Sequence, residues 1–227
     1  MPATSDPCVR IEQGGVSGFL HVADASAAGG IVLTHGAGGN CEAPLLVALA
    51  GAFRAAGVSV LRCDLPFRQK RPRGPPSLAS AAADREGLRA ALDLLRERTS
   101  GAVWLGGQSY GGRQSSLLAA EQPELAQRLL LLSYPLHPPG KPAQLRTAHF
   151  PNLRTPAVFV HGTADPFGSI AELRGALALI PVATKLLTIE RAGHDLGRGR
   201  PPSVVSEIVA AFLTNDESSF PSEPPTR

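Results

Sequence analysis

Charge is scarce in this 227-residue chain: only 18% of its residues are Asp, Glu, Lys or Arg. That content excludes a charged, disordered polymer. Lysine is nearly absent. Lys70, Lys141 and Lys185 are the only three, and the other basic residues are arginine, a bias with no structural reading. The net charge of +3 is too small to imply a nucleic-acid partner. Cysteine is limited to Cys8, Cys41 and Cys63, an odd number with no C-x-x-C pair. A disulfide framework is therefore not expected, and a reducing compartment is. No Cys/His cluster has the spacing of a zinc site, so neither metal nor organic cofactor is expected. The opening MPATSDPCVRIEQ lacks the apolar core of a signal peptide. The longest apolar runs, such as Leu129–Leu132, are far too short to cross a bilayer. The expectation is a soluble cytoplasmic protein, monomer or homodimer, with no membrane partner.

What the chain does have is turn residues and short apolar segments. Its 24 Gly and 21 Pro make up about a fifth of the residues, without a period. That excludes collagen and points to many tight turns. Strand-like and helix-like segments alternate. Val16–Val22 reads as a strand paired with Val9–Glu12. Ile31–Thr34, Val58–Cys63, Ala102–Leu105, Leu129–Tyr134, Ala157–Val160 and Lys185–Ile189 read as further strands. Helices are expected over Ala43–Ala56, ended by Gly57, and from a Ser77 cap to Arg98. Others are expected over Gly111–Ala120, from the capping-box Ser169 to about Ile180, and over Ser203–Leu213. Leu65–Pro76 reads as a loop. Alternation of this kind predicts one α/β domain over residues 1–214, with a mostly parallel central sheet and helices on both faces. The polar, Pro-rich residues 215–227 are expected to fray as a tail.

In such sheets ligands sit beyond the carboxyl ends of the strands. There the sharpest signal is Gly107-Gln108-Ser109-Tyr110-Gly111, a G-x-S-x-G between a strand and a helix. A nucleophile on so sharp a turn needs small neighbours two residues away, and Gly107 and Gly111 supply them. A serine hydroxyl needs a base. Asp165, after the strand AVFV, and His194, after KLLTI, follow Ser109 in the order nucleophile, acid, base. The expected roles are Ser109 as nucleophile, His194 as general base then acid, and Asp165 fixing the imidazole tautomer. Asp195 is a minor rival to Asp165. His35 and His161 precede glycines and are expected to hydrogen-bond within their loops. The oxyanion donors are expected from Tyr110 N–H and from Ala37 N–H in His35-Gly36-Ala37-Gly38-Gly39. That loop lacks the Lys-Ser/Thr of a phosphate cradle. Gly36, Gln108 and His137 are candidate substrate contacts.

HGAGG, GQSYGG, HGTADP and AGHD together resemble the α/β-hydrolase fold over roughly residues 15–213. Gly111-Gly112-Arg113 and Tyr134-Pro135-Leu136-His137-Pro138-Pro139-Gly140-Lys141 resemble a branch of small hydrolase-like proteins. That branch includes the testis-expressed hydrolase-like proteins and the hydrolase-like subunit of a chromatin acetyltransferase complex. Dienelactone hydrolases are more distantly similar and carry Cys where this chain has Ser109. The resemblance implies a serine hydrolase acting through an acyl-enzyme, and the small, soluble acyl substrate is expected from the short segment where a lid would be inserted. Its alternatives are a non-catalytic interaction module on the same fold, or peptidase or acyltransferase chemistry with the same three residues. Only about twenty residues separate Tyr134 from Thr155, where lids of this fold are inserted, so a minimal lid or none is expected. Two charged features remain. The run Arg68-Gln69-Lys70-Arg71-Pro72-Arg73 reads as a solvated loop or, alternatively, as a guide for acidic substrates. Arg113, a cation in the first turn of a helix, is expected to pair with Asp64 or Asp84, or else to face solvent.

Overall fold

The computed structural model describes residues 8–23, 29–196 and 202–214. The expected tail, 215–227, lies outside them. Eight strands form one sheet: β1 (Cys8–Gln13), β2 (Val16–His21), β3 (Gly29–Thr34), β4 (Val58–Asp64), β5 (Ala102–Gln108), β6 (Leu129–Leu132), β7 (Ala157–Gly162) and β8 (Thr184–Ile189). Their order is β1-β2-β4-β3-β5-β6-β7-β8. β1–β2 and β2–β4 pair antiparallel, and all later pairs are parallel. This is the mostly parallel α/β sheet that the alternation predicts, in the α/β-hydrolase fold that the motif resemblance implies.

Among the described residues six helices accompany the sheet: α1 (Pro44–Ala55), α2 (Pro66–Lys70), α3 (Ala81–Arg96), α4 (Tyr110–Glu121), α5 (Ile170–Leu177) and α6 (Pro202–Leu213). Strand side chains alternate between two cores. Leu129 and Leu131 of β6 join α3, α4 and α5 on one face, where Leu88, Leu92 and Leu95 form a stripe at helical spacing. Leu130 and Leu132 join α1 and α6 on the other, where Phe53 and Trp104 meet Phe212 edge-on. Burying each such large side chain stabilises the fold by about 1.5–3 kcal/mol.

Two local expectations change. Leu65–Pro76 is not loop throughout, because Pro66 opens the short helix α2. The long helix does not start at Ser77. A 3-10 turn over Leu78–Ser80 intervenes, and the Ser77 hydroxyl makes no cap bond. Instead Ser80 Oγ donates to Ser77 O at 2.7 Å. By contrast, Ser169 and Glu172 make the full capping box of α5. Between β6 and β7, residues 133–156 contain only the 3-10 turn Phe150–Asn152. The rings of Tyr134, Phe150 and Phe159 meet tilted or edge-on there, pinning this segment to β7. No lid is built. Among the described residues, no helix is long and apolar enough to cross a membrane.

Candidate active site

Ser109 sits between the last residue of β5 and the first of α4, with φ 52° and ψ −113°. A non-glycine residue held there carries strain of about 1–3 kcal/mol. The surrounding backbone enforces it. A Cβ on Gly107 would lie 2.8 Å from Gly111 C, and one on Gly111 would lie 2.5 Å from His35 O. Only glycine at both positions allows β5, α4 and the end of β3 to approach this closely.

The structure brings Ser109, His194 and Asp165 together. His194 Nε2 is 2.7 Å from Ser109 Oγ. His194 Nδ1 is 2.8 Å from Asp165 Oδ2 and 3.0 Å from Oδ1. Asp165 is fully buried in its side chain, and Phe167 N–H donates to its Oδ1 at 2.9 Å. The Phe167 ring stacks on the imidazole at 4.1 Å, covering one face. Gln108 Nε2 donates to His194 O at 3.4 Å, which ties the histidine loop to the end of β5. The imidazole's carboxylate partner is thus Asp165. Asp195 points to solvent.

The loop after β3 lies against Ser109: a Cβ on Gly36 would stand 3.4 Å from Ser109 Cβ. The loop is held from behind by two side chains. His35 Nδ1 donates to Gly36 O at 2.8 Å while its Nε2 accepts from Leu65 N–H at 3.1 Å. Arg68 donates to Ala37 O, Gly39 O, Gly74 O and Arg71 O, at 2.8 to 3.2 Å. Tyr110 is braced as well, its hydroxyl donating to Asp84 Oδ2 at 2.7 Å while Asp84 Oδ1 accepts from Phe67 N–H.

Two charged residues depart from expectation, and the two candidate substrate contacts Gln108 and His137 take the following places. Arg68 does not face solvent; it is buried and its donors are taken by four carbonyl oxygens. A basic run carries no sign of which member turns inward. Arg113 pairs with neither proposed acid. Asp84 is occupied as above, and Asp64 accepts from Cys41 N–H at 2.7 Å and faces His35. His137 is buried, bonded to Pro138 O and facing Glu172, and does not line the cleft at Ser109. Gln108 faces the histidine loop and does not line that cleft either. Phe167, Arg146 and Gln114 do line it and carried no sequence signal. Among the described residues, no group of three or more His, Cys, Asp or Glu could hold a metal. All three cysteines are free, and burial pushes the Cys41 thiol up to about 12, so it stays protonated.

Two histidines, His35 buried and His149 partly buried, make stability pH-dependent. Burial, then the charge of Arg113, pulls His149 down to about 4 from its ordinary 6.5. Burial also lowers His35, against the opposing pull of the Gly36 carbonyl and Asp64. The unfolded chain therefore binds more protons than the folded one below pH 6.5. The stability from neutral His149 is full above that pH and is lost as the pH falls toward 4. The expected result is a Tm that drops on acidification through this window, with a smaller drop in His149→Gln. Equal drops in the two proteins would contradict the assignment to His149.

Residues 27–207 match the family described as "Alpha/beta hydrolase domain", and the chain belongs to that family. Several solved structures share the fold. The chain is similar to a dienelactone hydrolase from Anabaena variabilis, at 23% identity over 90% of this chain and 94% of that one, TM-score 0.69. It is similar to an α/β serine hydrolase homologue from Coxiella burnetii, at 17% identity over 93% and 100%, TM-score 0.72. It is also similar to a lidless α/β serine hydrolase from Xanthomonas campestris, at 17% identity over 97% and 98%, TM-score 0.67.

Proposed function

We propose that this chain is a serine hydrolase of a small, soluble carboxylic ester or related acyl compound. The observation that carries the reading is the continuous chain of hydrogen bonds from Ser109 Oγ through His194 to Asp165. In this reading Ser109 Oγ attacks the substrate carbonyl carbon as its proton passes to His194 Nε2. Asp165 keeps the imidazole in the Nδ1–H tautomer that leaves Nε2 free to accept. The carbonyl oxygen, now an oxyanion, is held by the N–H groups of Ala37 and Tyr110. Collapse breaks the ester C–O bond, and His194 returns the proton to the leaving oxygen. Water, deprotonated by the same imidazole, then releases the acid and frees Ser109. Gly36, without a side chain, leaves room for the acyl group against Ser109.

Substrate size follows from the cleft. It holds about 450 Å³, is lined by Ala37, Tyr110, Pro135 and Phe167 among others, and has no lid with an apolar face to shelter a long chain. The similar protein from Xanthomonas campestris is likewise a serine hydrolase without a lid.

The test is a fluorophosphonate probe followed by mass spectrometry of the labelled peptide, together with a p-nitrophenyl ester series. The expected adduct is on Ser109, with kcat/KM for the butyrate exceeding that for the palmitate by more than about tenfold. A preference for the palmitate would overturn the substrate size. Folded protein that takes no label would favour the non-catalytic interaction module. Cleavage of amides, or transfer to an added alcohol in preference to water, would assign the same residues to peptidase or acyltransferase chemistry.

A further inference from the structure

The cleft beside Ser109 has a cationic wall that the hydrolytic chemistry does not use. Arg113, in the first turn of α4, and Arg146, on the segment between β6 and β7, both line it. Among the described residues neither forms an ion pair, and Arg113 Nε is buried with no hydrogen-bond partner. The one side-chain bond of Arg146 is a 3.3 Å contact from Nη1 to the carbonyl of Pro135. Its backbone is fixed by Tyr134, whose hydroxyl donates to Arg146 O at 2.6 Å. Gln114 completes the wall. It is fully buried and lines the same cleft, and its Nε2 donor is also without a partner. Arg85 donates to Gln114 Oε1 at 3.2 Å and so turns the amide nitrogen away from itself.

Among the described residues no acid is in ion-pair contact with either guanidinium. Asp84 is taken up by Tyr110 and Phe67, and Glu121 pairs with Arg85. His149, packed beside Arg113 and bonded to Ser116, is kept neutral by burial and by the Arg113 charge. Burial and the same charge lower Arg146. Two guanidiniums and an unpaired amide on one wall are unfavourable in the empty protein. An anion would relieve all three, and the planar guanidinium fork suits a carboxylate.

We propose that Arg113, Arg146 and Gln114 form a subsite for a carboxylate carried by the substrate. Resting on the serine-hydrolase reading, this narrows the substrate class to half-esters of small dicarboxylic acids and their close acyl relatives. The free carboxylate lies on the arginine wall while the ester carbonyl meets Ser109.

The experiment compares mono-p-nitrophenyl glutarate with p-nitrophenyl pentanoate, which have acyl chains of equal length. The expected ratio of kcat/KM, glutarate to pentanoate, exceeds one in the wild type. It falls roughly tenfold in Arg113→Gln and in Arg146→Gln. Arg113→Lys, which keeps the charge, should recover much of the ratio, and Arg174→Gln, exposed on α5, should leave it in place. Circular dichroism establishes that each variant is folded. In parallel, glutarate should raise the Tm of the wild type and not of the Arg113→Gln/Arg146→Gln pair, with inorganic phosphate run as the competing anion. A wild-type ratio below one, or one unmoved by both Gln variants, overturns the proposal. So does a larger Tm shift from phosphate than from glutarate. If neither ester is cleaved but glutarate still shifts the Tm through the arginines, the subsite stands and the hydrolase reading falls.

Discussion

Asp165→Asn is expected to lower kcat about 10⁴-fold while the protein remains folded. The reason lies in what the buried carboxylate does now. Its Oδ1 accepts from Phe167 N–H at 2.9 Å, and both oxygens face His194 Nδ1. An asparagine keeps the Phe167 bond only by placing its carbonyl oxygen there, which turns its NH₂ toward the imidazole. His194 must then accept at Nδ1 and carry its proton on Nε2, the atom that faces Ser109 at 2.7 Å. A donor in that position cannot take the serine proton. The loss should appear in kcat for a short p-nitrophenyl ester and in the rate of fluorophosphonate labelling. Because the three residues act as one unit, Ser109→Ala combined with Asp165→Asn should be no slower than Ser109→Ala alone. More than a tenth of wild-type kcat in folded Asp165→Asn would show that Asp165 is not the acid.

That these three residues could be chosen from the sequence has a structural reason. Each stands at or just past the carboxyl end of its own strand, β5, β7 or β8. A strand and the turn after it are local features, and parallel pairing carries all such turns to one edge of the sheet. Gly107 was legible on the same grounds, since a Cβ there would meet Gly111 and Gly112 within the motif's own turn, whereas the need for glycine at 111 is set by Thr34 and His35 at the end of β3, which the motif does not contain. The parts that were not legible depend on direction in three dimensions. Arg68 belongs to a run of four cations in six residues, and nothing in their order says that Arg68 alone turns under the β3 loop. Pairing Arg113 with Asp84 was reasonable by proximity of elements. It failed because Tyr110 and Phe67, neighbours of that same elbow and of α2, compete for the carboxylate. Ser77 has the composition of a cap, yet the turn that follows uses its carbonyl rather than its hydroxyl.

The second large effect should come from a residue that touches no substrate. His35→Leu is expected to lower kcat by about 10²–10³, the cost of losing one oxyanion donor. A peptide unit is planar and trans, so its C=O and N–H point in opposite directions. The C=O of Gly36 and the N–H of Ala37 belong to one such unit. Its oxygen is held by His35 Nδ1 at 2.8 Å and by Gly39 N–H at 3.1 Å. Holding the oxygen on that side fixes the Ala37 N–H on the other. Arg68 fixes the next unit through Ala37 O, so the loop is braced at two successive peptides. Leucine fills most of the histidine's volume but cannot donate to Gly36 O, and it leaves Leu65 N–H without its acceptor. The Gly36–Ala37 unit, flanked by glycines, is then free to turn. The loss should fall on kcat rather than KM, because the developing oxyanion needs the donor more than the ground-state carbonyl does. It should also be the same factor at every pH in the activity profile, since the His194 base is untouched. Asp165→Asn, which disables that base, should reshape the profile. A folded His35→Leu protein with kcat within about threefold of wild type would remove the β3 loop from the oxyanion site.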